Sequence, residues 1–247
     1  MKIFIYVVYF MLPMSIFAQI NQAQATIAAT NMNNLSSTSS FITYDMTPTD
    51  IKGSRFFSET YYEGELWTQK ETHYGDELLY RFDGIENSVQ IKYKDSGKEV
   101  LLFKENVKRL DLKINGQIVT FVRVPELDPK EVQKLYQVIY LSKDVKLVKL
   151  FRKKLLTKTI ESGGFDPDKN ETAYEDKSLY FIKIGYRNNA FEPFNLSQKG
   201  LIKAFPDKET KIKQVLASGK YKKNLTDVTM GEVLKLLEGI TIEISKE

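Results

Sequence analysis

From residue 51 to about residue 124, apolar and polar residues alternate in short runs divided by turn residues, the pattern of half-buried β-strands. YYEGELW and ELLYRF are aromatic-rich runs bounded by the turn pairs Gly75-Asp76 and Asp83-Gly84. SVQIKY sets Val89, Ile91 and Tyr93 on one face, and Asp95-Ser96-Gly97 turns the chain into KEVLLF. In RLDLKINGQIVTFVRV, Leu110, Leu112 and Ile114 alternate up to Asn115-Gly116, and Ile118, Thr120 and Val122 continue the alternation beyond it. An Asn-Gly pair accommodates the positive φ angles of a two-residue hairpin turn, so a hairpin is expected here.

The period is mixed between Pro125 and Ser142, and the pattern favours a turn at 126–131 followed by a strand over LYQVIYL. KLVKLFRKKLLTK (146–158) lies among β-like neighbours, so it reads as a strand. Val145, Leu147, Lys149 and Phe151 would share one face, and its lysines would reach outward on their apolar stems. SGGFDPDKNETAYEDK (162–177) reads as a loop, and SLYFIKIGY (178–186) as the next strand. Helical spacing then takes over. Ser197 is placed to cap a helix through Phe205, and Pro206-Asp207 to open a second with Ile212, Val215 and Leu216 inward, stopped by Gly219. Thr229 and Glu232 have capping-box spacing, ahead of Met230, Val233, Leu234 and Leu237 on one face and Gly239 at the end. Strands first and helices last predict an α+β fold: one domain over 51–240, β-rich at 51–186 and helical at 196–239.

The N-terminal 25 residues follow different rules. Lys2, an apolar stretch over 3–17, and then small or polar residues have the order of a secretory signal peptide, with cleavage after Ala18 or after Ala25. The stretch is shorter than the roughly 20 residues a membrane-spanning helix needs. Residues 26–50 are rich in Thr, Ser and Asn, without an apolar period, and read as a flexible leader. An exported protein of the periplasm or the medium is expected, with no transmembrane segment once the signal is removed. The chain of 247 residues has no cysteine, so a hydrophobic core rather than disulfides must hold it. Removing Lys2 takes the formal charge from +4 to +3, too little for a nucleic-acid footprint. Fifteen Phe and fourteen Tyr supply the material of that core.

Candidate chemistry is sparse. His73 is the single histidine, so a zinc site lacks its usual second His or Cys ligand, and no Gly-x-Ser-x-Gly elbow offers a nucleophile. Asp166, Asp168 and Asn170 occupy positions one, three and five of a calcium loop. Glu171 stands where that loop needs Gly, and Lys177 where it needs a bidentate Glu, so calcium is at most a weakly ligated cofactor. Glu63, Glu65, Glu71, Asp76, Glu77, Asp83 and Glu86 cluster in the first hairpins, where a pair of carboxylates would serve a hydrolase of extracellular polymers. Trp67 is a candidate for stacking on a sugar or peptide ring. The basic run offers Lys149, Arg152, Lys153 and Lys154 for an anionic envelope surface, and Lys220, Tyr221, Lys222 and Lys223 form a second, shorter run.

GSRFFSETYYEGELW, LLYRFDGIENSVQIK and the C-terminal FNLSQKGLIKAFPDKETKIKQVLASGKYKKNLTDVTMGEVLKLLE together resemble a family of secreted or periplasmic proteins of Bacteroidota that carry no assigned activity. The resemblance covers roughly 51–238. It implies location and architecture, and transfers no catalytic residue. The expectation is therefore a non-enzymatic envelope protein that binds a protein or surface component. A carboxylate-dependent hydrolase and a Ca-dependent adhesion module are the alternatives.

Overall fold

The computed structural model describes residues 51–239, apart from Phe103, 161–168, 219–220 and 222–224. The expected signal segment and leader lie outside the described residues, as do Asp166 and Asp168; of Asn170 only the backbone is described. The architecture is α+β, an antiparallel sheet-rich domain followed by C-terminal helices. Its strands are β1 (Ile51–Lys52), β2 (Gly64–Thr68), β3 (His73–Tyr74), β4 (Leu78–Asp83), β5 (Ser88–Tyr93), β6 (Glu99–Leu102) and β7 (Val107–Ile114). They continue with β8 (Gln117–Arg123), β9 (Leu135–Leu141), β10 (Val145–Leu150), β11 (Lys153–Ile160), β12 (Lys169–Asp176), β13 (Leu179–Ile184) and β14 (Phe191–Phe194). The helices are α1 (Gln198–Ala204), α2 (Glu209–Ala217) and α3 (Asp227–Glu238).

An eight-stranded antiparallel sheet, in the order β14–β13–β10–β9–β8–β7–β2–β3, forms the body. Two excursions leave it. Between β3 and β7 the chain builds a small sheet, β4–β5–β6; between β10 and β13 it builds the β11–β12 hairpin, which β1 joins in parallel. One cross-strand row runs over all eight strands: Tyr74, Leu66, Leu110, Phe121, Gln137, Lys149, Tyr180 and Phe194. Residues directly opposite one another share a face, so the row marks the covered side. Over β2, β7 and β8 the small sheet supplies the cover, packing Tyr80, Phe82, Val89 and Ile91 against Leu66, Leu110, Leu112 and Phe121. Over β10, β13 and β14 the helices supply it, packing Leu201, Phe205, Ile212, Met230, Val233 and Leu237 against Val145, Leu147, Ile182 and Phe194.

Local chemistry explains most boundaries, and corrects several expectations. The Asn115-Gly116 turn forms, with positive φ at both residues. Its two-residue length pairs Ile114 with Gln117, so even positions of β7 face odd positions of β8. Phe121 therefore goes inward and Val119 sits half-buried beside it, while Ile118, expected on the buried face, is 66% exposed. Ser197 caps α1, accepting from Gly200 N at 3.0 Å. The capping box of α3 lies one turn earlier than Thr229 and Glu232. Thr226 is the cap, accepting from Thr229 N at 3.3 Å, and Thr229 Oγ1 accepts from Thr226 N at 2.8 Å. The helix begins at Asp227, where a carboxylate also complements the positive end of the helix dipole. Pro206–Lys208 forms a single 3-10 turn before α2, which ends at Ala217 with Ser218 extended.

The basic run does not make one strand. It breaks at Phe151-Arg152 into β10 and β11, which belong to different sheets. Phe151 turns inward against Phe57 and Phe82, with centroids 5.1 and 6.1 Å away. Gly84 lets the corner close: Lys153 N donates to its carbonyl at 3.0 Å, and an added Cβ would lie 2.5 Å from the Phe151 ring. The expected loop at 162–177 likewise contains a strand, β12, because Lys169–Asp176 pairs along the whole of β11.

Candidate binding surface: the arm of β1, β11 and β12

The arm is built from alternating residues that find no core to enter. Among its described side chains none is buried, and the hydrophobic clusters of the body take no residue from it. One face carries Ile51, Thr157, Thr172, Leu155 and Tyr174 in register, with the Thr157 and Thr172 hydroxyls 3.0 Å apart and Leu155 43% exposed. The other face carries Lys154 opposite Glu175, Leu156 opposite Ala173, and Lys158 opposite Glu171. Its acids are engaged within the arm and its root. Glu171 meets Lys52 at 2.9 Å, and Glu175 meets Lys158 and also Lys177, the latter at 2.9 Å. Hydrogen bonding from Lys158 and Lys177 lowers the Glu175 carboxyl from the usual range to about 2. Exposed pairs of this kind contribute little each, so the backbone ladder carries most of the arm's order.

The four basic residues expected at a surface separate here. Lys149 is buried. Its side chain, 10% exposed, donates to Asp227 Oδ2 at 2.9 Å, and Tyr180 donates its hydroxyl to Oδ1 of the same carboxylate at 2.8 Å. The correction has a topological cause: Lys149 lies on the covered row, at the seam between the small sheet and the helices, so its amine meets the first residue of α3 instead of water. Burial, reinforced by that bond to Asp227, raises the Tyr180 phenol far above its ordinary value. Lys153 is half-buried at the corner, its amine 5.5 Å from the Phe151 ring centre and 3.9 Å from Asp176. Arg152 and Lys154 are exposed, and no described carboxylate pairs with either. What remains of the predicted basic surface is thus the root of the arm. Its apolar and hydroxyl face escaped detection because 162–177 reads as a loop; the alternation of Thr172 and Tyr174 with Glu171, Ala173 and Glu175 was the available signal.

Six of the seven acidic residues of the first hairpins have a near partner of their own, and Glu86 lies 4.0 Å from the Arg55 guanidinium that Asp83 holds. Asp83, buried, lies 2.6 Å from the Arg55 guanidinium and accepts from the amides of Ile85 and Glu86. Glu63 pairs with Lys94 at 2.8 Å and Glu71 with Lys108 at 2.6 Å. Glu65 is 3.4 Å from His73, Asp76 is 3.7 Å from Lys113, and Glu77 accepts from Gly75 N at 3.2 Å. Glu77, Glu65 and Asp76 do bear on the Tyr80 hydroxyl, adding to the burial that pushes its pKa up. Among the described residues no group of three His, Cys, Asp or Glu side chains gathers in a metal-binding arrangement. Trp67 stands in a cross-strand row on the other face of the large sheet, stacked on His73 at 4.9 Å and with the Arg109 guanidinium 5.0 Å from its ring centre. Asp111 fixes that guanidinium through two hydrogen bonds of 2.9 and 2.7 Å, so the ring is held by its neighbours.

No known protein-family model matches the chain, and no curated protein or solved structure matches it either. Among the described residues no helix is long and apolar enough to cross a membrane.

Proposed function

We propose that this is an exported, non-enzymatic envelope protein that binds a protein or surface component through the arm. The observation that carries the reading is a three-stranded element whose described side chains do not enter the core, yet present apolar, hydroxyl and cationic groups on its two faces. A segment of this length retains its order at the cost of chain entropy, and surfaces positioned on a rigid body are where binding residues concentrate. The signal-like N-terminus and the resemblance to exported Bacteroidota proteins support the location. The pairing of Glu63, Glu71 and Asp76 with three different lysines supports binding over hydrolysis.

Two measurements test this. N-terminal sequencing of the chain from fractionated cells is expected to begin at Gln19 or Thr26; a chain retaining Met1 in the cytoplasm would sink the export reading. A photo-crosslinking side chain at Leu155 is expected to give a discrete adduct in the envelope fraction, while the same group at Val228, exposed on α3, gives none. Equal labelling from both positions would remove the arm from consideration.

A further inference from the structure

The large sheet and its partner sheet protect their edges. β3 has two residues, β6 has four, and β14 has four with Pro193 among them. β4 is covered along its outer side, where Tyr62 and Tyr80 exchange backbone hydrogen bonds at 2.8 Å and Phe57 N donates to Phe82 O. Short strands, proline and covering segments are the usual devices that keep an edge from recruiting another chain. β11 relies on neither shortness, proline nor, beyond Lys153 N on Gly84 O, a described covering segment; its only such device is charge, in Lys153, Lys154 and Lys158. It is eight residues long, contains no proline, and no described strand pairs with its outer side.

The direction of its free backbone groups follows from two hydrogen bonds at its root. Arg152 O accepts from Lys177 N, on the β12 side, whereas Lys153 N donates to Gly84 O, on the outer side. Backbone groups alternate along a strand, so the outward N–H and C=O groups belong to Leu155, Thr157 and Thr159. Among the described residues, the side chains that flank this edge without an ion-pair partner are cationic, Arg152 and Lys154, while the acids beside them, Glu171 and Glu175, are engaged. A second copy of β11 would bring like charges together, which opposes self-pairing.

We propose that the open edge of β11 accepts an extended segment of a protein partner, adding as a further strand, with acidic residues placed to meet Arg152 and Lys154 and β-branched or apolar residues in the alternate positions beside Leu155 and Thr157. This rests on the proposed binding role of the arm and names the partner's chemistry. Main-chain hydrogen bonds supply the affinity, and the two free cations supply the choice.

The test uses the mature chain and synthetic peptides that alternate Glu with Val and Thr, against the same peptides with Lys for Glu and against a version N-methylated at alternate residues. The acidic peptide is expected to slow amide exchange at Leu155, Thr157 and Thr159 about tenfold or more, with no change at Lys154, Leu156 and Lys158, which already face β12. Added salt weakens the effect, the N-methylated peptide lacks it, and the double variant R152E/K154E prefers the Lys peptide. Equal protection by the Lys and Glu peptides, no protection by either, or self-association through the same amides each overturns the proposal. A specific Leu155 crosslink without strand protection would overturn strand addition alone, leaving binding through the arm's face intact.

Discussion

β10 and β11 come from one run of similar composition, two short Lys/Leu-rich segments separated by Phe151 and Arg152, and they end in opposite environments. Leu147 is fully buried and Lys149 nearly so, while Leu155 is 43% exposed and Lys154 stands in solvent. Residue type does not distinguish the two strands; what lies over them does. β10 is the third strand of a wide sheet with helices on its covered face, and β11 is the edge of a ribbon with water on both faces. The same apolar positions therefore act as core in one strand and as an offered surface in the other. A lysine can serve as a strut when the topology places an acid against it, and as a free charge a few residues later.

The sharpest way to break the comparison is to truncate its leucines. Leu147→Ala empties a site with no exposure, and is expected to cost roughly 4 kcal/mol in urea denaturation. If it cost no more than Leu155→Ala, burial would not be what separates the strands. Lys149→Ala comes next, at about 3 kcal/mol, because it leaves the Asp227 carboxylate and its bond to Tyr180 without a counter-charge in a largely desolvated place. Lys149→Met with Asp227→Asn should recover much of that loss, since well-packed neutral groups replace the pair; failure to recover would point to a packing role for the lysine stem. Gly84→Ala tests the corner between the strands. Its methyl would meet the Phe151 ring at 2.5 Å and Lys153 Cγ at 3.1 Å, so a loss near 2 kcal/mol is expected, with amide exchange rising at the root of the arm.

The fold class was legible because alternation and turn chemistry are local. Asn115-Gly116 announces its hairpin, Ser197 its helix, and the spacing of Met230, Val233, Leu234 and Leu237 the face that α3 buries. What pattern could not show was set by partners distant in sequence. Val119 and Phe121 instead of Ile118 and Val122 turn inward because of turn parity, which requires the exact register. Lys149 becomes interior because Asp227, 78 positions away, comes to lie over it. β12 hid inside an acidic stretch because a strand in a two-sided ribbon has no buried face to imprint a hydrophobic period. The candidate surface was half-visible for the same reason: the cations stood out as a run, while the edge beside them exists only after β11 and β12 pair.

Acid should loosen the arm. The Glu175 carboxyl, lowered from 4.5 to about 2 by Lys158 and Lys177, contributes order that is complete above its ordinary value and is lost as the pH falls through about 2. Amide exchange at Leu156 and Lys158, relative to Leu147, should therefore rise as the pH drops from 4.5 toward 2. The change will be modest, since the pair is exposed to solvent. Glu175→Gln should reduce the pH dependence to the share of Asp176, whose carboxyl, against the opposing effect of burial, the Ser178 hydrogen bonds hold below its ordinary value; an undiminished dependence would assign it to another group.

The smallest effects are the most informative about the arm. Lys154→Gln and Leu155→Ala should each stay within about 0.5 kcal/mol of the parent in stability, since neither side chain is buried and Lys154 has no described ion pair. Set beside Lys149→Gln and Leu147→Ala, they make two matched pairs in which chemistry is constant and environment changes. A neutral result shows that the residues of β11 do not contribute to the stability of the fold. A loss of more than about 1 kcal/mol from Lys154→Gln would mean that the arm packs on the body through a contact of its own, and that its order is structural.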